Sequence, residues 1–299
     1  MQSCAASSSA SPDTHALHTL RAMQASDLAA CYGLTQALQW PHRLQDWQFV
    51  QALGHGFVIE HSGIDKQPAV AGSGLVWHYG TTHAALGMVI VANALQGLGL
   101  GRQLMQCLLS EAGARSVLLN ATVAGQPLYE KLGFIATGEL YQHQGTVTNL
   151  VPVALPSGLQ LRPRQAADLP QLLALEQRAS GLDRAAVMSA LLAVSEAIVI
   201  ERDGLLCGFS LLRAFGRGRA IGPVVAPDMA SAQALISHWM NTYRDTFVRI
   251  DVPERSNLSA WLNDIGLARV DTVVSMCKGT APGTDPQYQL YSLINQALG

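Results

Sequence analysis

Residues 89–109 read VIVANALQGLGLGRQLMQCLL. An apolar, strand-like run reaches Val91, a polar turn follows, and glycines alternate at positions 97, 99 and 101 before a helical pattern begins. Glycine lets the backbone approach an anion closely, and the N–H groups at the start of a helix then face that anion. The stretch therefore predicts a strand, a glycine loop and a helix, which either bind a phosphate group or form a simple turn.

Two familiar phosphate-binding loops do not match this stretch. A Walker loop has Lys and Ser or Thr after its last glycine, whereas Gly101 is followed by Arg102 and Gln103. A dinucleotide-binding loop has Gly-x-Gly-x-x-Gly and an acidic residue about 20 positions later. The spacing here is Gly-x-Gly-x-Gly, and no suitable acid closes a following strand. The pattern that remains is Gln-x-x-Gly-x-Gly, which begins at Gln96, and Arg102 adds a positive charge to it.

The composition is typical of a folded, soluble protein. Of the 299 residues, 49% are hydrophobic and 13% are charged, and the formal net charge is −2. No apolar run approaches the ~18 residues of a membrane helix, and no basic stripe indicates nucleic-acid binding. The five cysteines are scattered without metal-ligand spacing, and the small, polar start lacks the apolar segment of a secretory signal. We expect a cytoplasmic protein without a metal, a nucleic-acid partner or a membrane.

The chain repeats one order of sequence elements. HTLRAMQASDLAACYGLTQAL, from His18, and LQLRPRQAADLPQLLALEQRA, from Leu159, each predict a strand with an arginine, a turn and an amphipathic helix. Asp27 and Asp168 can accept backbone N–H bonds where these helices start. Later segments also correspond: AALGMVIVAN (84–93) with RAIGPVVAPD (219–228), and YEKLGFIATGELY (129–141) with LNDIGLARVDTVV (262–274). The repeat predicts an α/β fold of two tandem domains, each a mixed, mostly antiparallel sheet flanked by helices.

The domain boundary is predicted in TNLVPVALPSG, residues 148–158, because its two prolines discourage a helix. The last stretch starts as a Gly/Pro loop and ends in a short helical pattern. The expected organisation is a disordered tail (1–15), a first domain (16–150), a second domain that lacks the glycine loop (157–279) and a C-terminal tail (280–299).

A second motif decides between a phosphate site and a simple turn. NATVAGQPLYEKLGF occupies residues 120–134. With the strand and the Gln-x-x-Gly-x-Gly loop about thirty residues earlier, it resembles the GNAT superfamily of acetyl-CoA-dependent N-acyltransferases, whose usual segment is Leu-Tyr-Glu-Lys-Leu-Gly-Phe. The resemblance covers residues 16–150, and the two halves together resemble bacterial tandem-GNAT proteins.

The resemblance implies acetyl-CoA as co-substrate and assigns roles to particular residues. The backbone of Val89 and Val91 would pair with the acetyl-pantetheine arm, and Tyr129 would donate a proton to the departing thiolate. The alternative for Tyr129 is a ring packed in the core. Thr122 stands where the family often has Asn, and Asn120 lies two residues earlier. The pyrophosphate would be held by backbone N–H groups of Gln96, Gly97, Leu98, Gly99, Leu100, Gly101 and Arg102.

The acceptor site and the general base are less defined. WPHRLQDW (40–47) follows the first helix, a region that often lines the acceptor site in the family, so Trp40, His42 and Asp46 are candidates. The alternative is a capped turn with packed tryptophans. His143 on a late strand could transfer a proton near neutral pH, or it is a surface histidine, or a water chain replaces a single base. The full set of candidate bases is His42, Asp46, His55, His78, Glu139 and His143.

The second half carries neither a glycine loop nor the tyrosine, which Leu262 replaces. We expect it to be non-catalytic. Asp183 and Asp251 would favour a cationic acceptor if they face the cleft, although Asp183 could instead cap a helix. The predicted function is an N-acetyltransferase that acts on a primary amine of a small molecule by direct transfer in a ternary complex. The alternative is a non-catalytic CoA-binding sensor or interaction module.

Overall fold

The computed structural model describes residues 17–62, 68–148, 150 and 152–299. The predicted tail at 1–15 lies outside the described residues. Within them, no helix has the length and apolar character needed to cross a membrane.

The order of elements follows the predicted repeat. The helices of the described residues are α1 (Leu28–Ala37), α2 (Leu44–Ala52), α3 (Leu100–Ala112), α4 (Gln126–Lys131), α5 (Leu169–Ser180), α6 (Ala185–Ala193), α7 (Met229–Thr242) and α8 (Ser259–Asp264). The strands are β1 (Leu17–Ala22), β2 (His55–Ser62), β3 (Ala69–Tyr79), β4 (His83–Val91), β5 (Ser116–Ala121), β6 (Ile135–Thr146), β7 (Gln160–Pro163), β8 (Glu196–Arg202), β9 (Leu205–Phe215), β10 (Gly218–Ala226), β11 (Phe247–Pro253), β12 (Ala268–Lys278) and β13 (Gln289–Ser292).

The strands of the described residues form one continuous mixed sheet rather than two separate ones. Its order is β1-β2-β3-β4-β5-β12-β6-β11-β10-β9-β8-β7, and β13 pairs with β10. Most neighbours are antiparallel, whereas β4–β5 and β10–β11 are parallel. The fold is therefore α/β with two tandem halves, as predicted.

The two halves exchange their last strands. β12 of the second half lies between β5 and β6 of the first, and β6 lies between β12 and β11. Each half thus completes the sheet of the other. The domain boundary near residues 150–157 stays a prediction, and strands from before and after it are hydrogen-bonded at the centre of the single sheet.

Helices cover both faces of the sheet. α3 and α4 cover one face of the first half, with a core that includes Leu104, Leu108 and Tyr129. On the other face, α1 and α2 share a single core with α5 and α6 of the second half. Burying each large apolar side chain contributes about 1.5–3 kcal/mol, so this shared core also joins the halves.

The repeat is visible at the level of individual ion pairs. In the first half, Arg21 donates to Asp27 at 2.7 Å and to Glu60 at 2.7 Å. The second half has the same triad, formed by Arg162, Asp168 and Glu201. Both aspartates also accept a backbone N–H at 2.7 Å, from Gln24 and Gln165, which confirms the predicted role at the helix starts.

The turns of one half dock reciprocally on the loops of the other. The β3–β4 turn at Gly80 lies against Asp183, and the β9–β10 turn at Gly216 lies against Pro41. Asp183 makes no cap bond, because α6 begins after Arg184 without a side-chain cap. Asp251 is buried and paired with Arg249 at 3.0 Å.

The C-terminal segment is a packed part of the molecule. Residues 289–292 form β13, and Leu293, Ile294 and Leu298 are buried beyond it. The predicted short helix is not observed, because the main chain of this segment pairs with β10 instead and then folds into turns around Asn295. Leu298 also accepts a hydrogen bond from the Tyr79 hydroxyl at 2.6 Å.

Candidate active site

The sheet opens between β4 and β5. The two strands pair only from His83–Ala85 to Ser116–Leu118, and beyond these residues the described parts of both strands show no further pairing with each other. β4 meanwhile keeps its ladder to β3 up to Val91. The backbone edge of the last part of β4, which includes Val89 and Val91, therefore faces an opening in the sheet.

A bulge in β4 redirects the strand at this opening. Met88 has a positive φ of 54°, which is unusual for a residue other than glycine. The register to β3 shifts here, and the buried Ser73 hydroxyl donates to the Met88 carbonyl at 3.0 Å. Bulges often lie beside active sites because they re-aim the backbone. The sequence did not indicate this one, since methionine carries no signal for a positive φ.

The glycine loop connects the end of β4 to α3. Gly97 and Gly99 have φ values of 82° and 77°, a conformation that favours glycine, and Gly99 directly precedes α3. The side chain of Gln96 donates to the Val91 carbonyl at 3.1 Å and to Asn93 Oδ1 at 3.0 Å. Gln96 therefore braces the loop against the strand.

Among the described residues, some backbone N–H groups of this loop are already hydrogen-bonded within it, and others are free to bind a ligand. Those of Gln96 and Arg102 donate within the loop, to Asn93 O and Gly99 O at 3.3 and 3.1 Å. In the part of the chain that the structure describes, the N–H groups from Gly97 to Gly101 have no hydrogen-bond partner. Because they lie at the start of α3, the helix dipole adds to their attraction for an anion.

α4, which carries Tyr129, packs against the glycine loop through Leu128. A Cβ on Gly101 would lie 3.5 Å from Leu128 Cδ2 and 3.8 Å from Val91 Cγ2, so α4, α3 and β4 meet there. The Tyr129 ring is 8% exposed and packs edge-on against Phe134. Its hydroxyl makes no hydrogen bond to the described residues. Burial raises the pKa of Tyr129 to about 12, so the hydroxyl remains protonated at neutral pH.

Thr122 and Asn120 play different structural parts. The Thr122 hydroxyl accepts from the Gly125 N–H at 3.3 Å in the turn that starts α4. Asn120 donates to the Gln296 carbonyl at 2.8 Å and accepts from the Ser275 hydroxyl at 2.7 Å. Asn120 thus links the first half to β12 and the C-terminal segment.

The WPHRLQDW segment is a docking element between the halves. Asp46 is buried and accepts from the Arg43 N–H at 2.8 Å and from the Gly216 N–H at 3.0 Å. His42 packs between Trp40 and Phe215, with ring centroids 5.8 and 5.5 Å away. Burial, with the charge of Arg249, lowers the pKa of His42 to about 4. These contacts favour the alternative of a capped, packed turn, and the acceptor role of Trp40, His42 and Asp46 stays a prediction.

His143 is fully buried on β6 rather than lying on the surface. Its Nδ1 lies 2.8 Å from the Leu267 carbonyl and its Nε2 lies 2.9 Å from the Ser259 hydroxyl. Burial lowers its pKa, so the neutral form is favoured. Both ring nitrogens are therefore engaged by the second half.

A cavity of about 430 Å³ lies at the junction of the two halves. We call it the seam cavity. It starts where β4 and β5 part, since Ala85 and Leu118 line it, and exposed charged groups of both halves stand around it, namely Glu139, Glu254 and Arg255. Of the candidate bases, only Glu139 lines this cavity. Asn120, beyond the paired part of β5, and Ala297 of the C-terminal segment also line it.

The equivalent opening in the second half is filled by the chain itself. β10 pairs with β11 from Arg219 to Ile221, and β13 then pairs with β10 from Val224 to Ala226. The buried Leu262 lies where the first half has Tyr129.

The comparisons with known proteins agree with this site. Residues 64–149 and 172–292 each match a family described as acetyltransferase (GNAT) domain. The chain is 30% identical over 220 residues to YitH, an uncharacterized N-acetyltransferase of Bacillus subtilis. This alignment covers 72% of the present chain and 76% of YitH. The chain therefore belongs to the GNAT acetyltransferases and is an acyltransferase. Members of this family generally use acetyl-CoA.

Solved structures show the same tandem fold. A putative acetyltransferase from Pyrococcus horikoshii has a TM-score of 0.74 at 20% identity, over 94% of this chain and 96% of that one. A tandem GNAT protein from the clavulanic acid biosynthesis pathway has a TM-score of 0.60 at 13% identity, over 89% of this chain and all (100%) of that one. Because one chain carries two GNAT domain matches, this protein is, within the GNAT class, a tandem GNAT N-acetyltransferase.

Proposed function

We propose that this protein transfers the acetyl group of acetyl-CoA to a primary amine of a small molecule, by direct attack in a ternary complex. The observation that carries the proposal is the row of N–H groups from Gly97 to Gly101, which have no hydrogen-bond partner among the described residues and lie beside the opening between β4 and β5. Tyr129 is protonated at neutral pH, and its helix α4 packs against the glycine loop through Leu128, which supports a role for this tyrosine.

Each part of the opening has a distinct task. The N–H groups from Gly97 to Gly101, with Arg102 beside them, bind the pyrophosphate. The exposed backbone edge at Val89 and Val91 aligns the pantetheine arm, and Thr122 lies on the far side of the opening. Acetyl-CoA supplies the activated acyl group when bound.

Tyr129 assists the leaving group. Its hydroxyl donates a hydrogen bond to the sulfur as the C–S bond breaks, which stabilises the charge developing there. Full proton transfer from a group with a pKa of about 12 to a thiolate is uphill. The thiolate therefore takes its final proton from solvent, and the amine gives up its proton to a base or a water chain in the acceptor site.

The seam cavity is the acceptor site in this proposal. Its support is that Ala85 and Leu118, the last paired residues of β4 and β5, line it, and that the second half contributes part of its wall. The carboxylate of Glu139 attracts a cationic amine and is the candidate base, with a water chain as the other route for the proton. The second half completes the acceptor site and carries no chemistry of its own.

The test is a thiol-release assay with acetyl-CoA and a panel of amines, amino acids and short peptides. Release with one of the small amines supports the proposal and identifies the acceptor class. Release only with peptides moves the acceptor class to protein termini. No release, with CoA still raising the melting temperature, favours the CoA-binding sensor. No release and no shift overturn the assignment of the glycine loop. The cytoplasmic location stays a prediction.

A further inference from the structure

Three side chains meet at the end of α3 remote from the glycine loop. They are His55 at the start of β2, His78 near the end of β3 and Glu111 in the last turn of α3. His55 Nδ1 lies 2.7 Å from Glu111 Oε1, and one ligand atom from each residue lies within 4.8 Å of the other two. The acetyl transfer proposed above uses none of them.

The fold holds this cluster on three ordered elements. His55 lies opposite Val76 in the β2–β3 ladder. Side chains two residues apart on a strand share a face, so His78 lies on the same side of the sheet as His55. α3 packs on that face, and Glu111 follows the buried Leu108 by one turn. The two strands β2 and β3 and the helix α3 therefore place the three side chains close together.

The donor set matches a particular class of ion. Two imidazoles and one carboxylate suit Zn²⁺ and its neighbours among the divalent transition metals, with bonds of about 2.0–2.2 Å. Tetrahedral bonds of that length place ligand atoms about 3.3 Å apart, so the side chains must rotate to close the present spacing, which is at most 4.8 Å. The His55 side chain is 65% exposed, so an ion can enter, and water can fill the fourth position.

A backbone contact supports the geometry of the second histidine. His78 Nε2 lies 3.2 Å from the main-chain oxygen of Glu111. Such contacts orient the rings of metal-binding histidines. The nearest turn also carries Arg115, but its guanidinium donates to the carbonyls of Gly80 and Ala112, which keeps it occupied.

We propose that His55, His78 and Glu111 form a binding site for a divalent transition metal, with Zn²⁺ as the preferred ion. The bound ion fastens the C-terminal end of α3 to β2 and β3. The helix is 13 residues long, which separates this site from the glycine loop by about 20 Å. Metal binding is therefore independent of acetyl-CoA binding. The sequence predicted no metal because the three residues lie far apart in the chain.

The test is a calorimetric titration of the chelator-treated, full-length protein with ZnCl₂. We expect one high-affinity ion per chain. The Kd for Zn²⁺ should rise on the order of 10–100-fold or more in each of the variants His55→Gln, His78→Gln and Glu111→Gln. Loss of a group that only orients a metal ligand already weakens metal binding by that factor. Acetyl-CoA binding, measured on the same samples, should not change.

The chain offers a matched control. His18 and His61 on β1 and β2 have their Nδ1 atoms 3.3 Å apart, and the described residues add no third donor to this pair. The His18→Gln/His61→Gln variant should bind Zn²⁺ like the wild type.

Three results would overturn the proposal. They are the absence of Zn²⁺ binding, binding that survives the Glu111 and His55 substitutions, and binding that is lost in the His18/His61 control. Substitution with Co²⁺ gives a further criterion, because it should produce the visible bands of tetrahedral coordination. A thiolate charge-transfer band would instead place the ion on a cysteine such as Cys107 of the same helix.

Discussion

Ser292 lies opposite Val224 in the antiparallel ladder between β13 and β10, and its hydroxyl donates to the Ile221 carbonyl at 3.0 Å. In the internal repeat, Val224 corresponds to Val89, whose backbone edge faces the opening in the first half. The chain's own strand thus takes, in the second half, the place that we propose for the pantetheine arm in the first.

This relationship predicts one acetyl-CoA per chain. β13 uses the backbone edge of β10, and the second half has no glycine loop, so only the first half can bind the ligand. Isothermal titration should give a stoichiometry close to one, and Arg102→Gln should weaken that single event. Two binding events of similar affinity would contradict the proposed role of β13.

The sequence predicted what is local and repeated. Asp27 and Asp168 reveal their helix starts because a carboxylate at that position bonds to a nearby N–H, and the glycine loop has a fixed spacing. The sequence could not predict the exchange of β6 and β12, because hydrogen bonds between distant strands leave no periodic pattern in the sequence. The bulge at Met88 and the strand at 289–292 were missed for the same reason: long-range packing decides both. The cluster of His55, His78 and Glu111 likewise appears only once the strands are aligned.

Tyr129→Phe should lower kcat and spare binding. General acids typically contribute about 10²–10⁴-fold, and the Tyr129 hydroxyl bonds to none of the described residues, so its removal should leave folding intact. Steady-state kinetics on the acceptor found in the thiol-release assay, with acetyl-CoA affinity measured separately, check this. Tyr291→Phe is the matched control, because Tyr291 is also buried but belongs to the second half.

The pH profile of the wild type gives a second criterion for the same residue. Burial disfavours the tyrosinate and raises the pKa of Tyr129 to about 12. The catalytically required form is the protonated one, so no loss of kcat from this group should appear between pH 7 and about pH 10. An alkaline limb near the ordinary tyrosine pKa that disappears in Tyr129→Phe would contradict the buried position.

Gly99→Ala should weaken acetyl-CoA binding through backbone strain alone. Gly99 has a φ of 77°, and an added Cβ would meet no atom within 4 Å. A left-handed residue other than glycine costs about 1–2 kcal/mol, so the loop relaxes and its N–H groups turn away from the pyrophosphate. The affinity should fall roughly tenfold, as measured by calorimetry.

A matched glycine separates strain from ligand binding. Gly158 has a φ of 80° and equally open surroundings, but it lies at the start of the second half. Gly158→Ala should cost a similar amount of unfolding free energy and leave acetyl-CoA affinity unchanged. Equal losses of affinity in both variants would mean that the loop is not the pyrophosphate site.

His42 should make the junction of the halves sensitive to acid. Burial lowers its pKa to about 4, whereas the unfolded chain has a histidine pKa near 6.5. The unfolded state therefore binds the proton first as the pH falls, and stability is lost from about pH 6.5 down to about pH 4. Between pH 7 and pH 5 this one group should cost about 2 kcal/mol of unfolding free energy.

Urea unfolding of the wild type and of His42→Asn at pH 7 and pH 5 checks whether acidification lowers the unfolding free energy as predicted. The variant should be less stable at pH 7, because it loses the contacts with Trp40 and Phe215, but its stability should fall less on acidification. An acid dependence in His42→Asn equal to that of the wild type would contradict this prediction. It would mean that protonation of His42 costs the folded protein no stability.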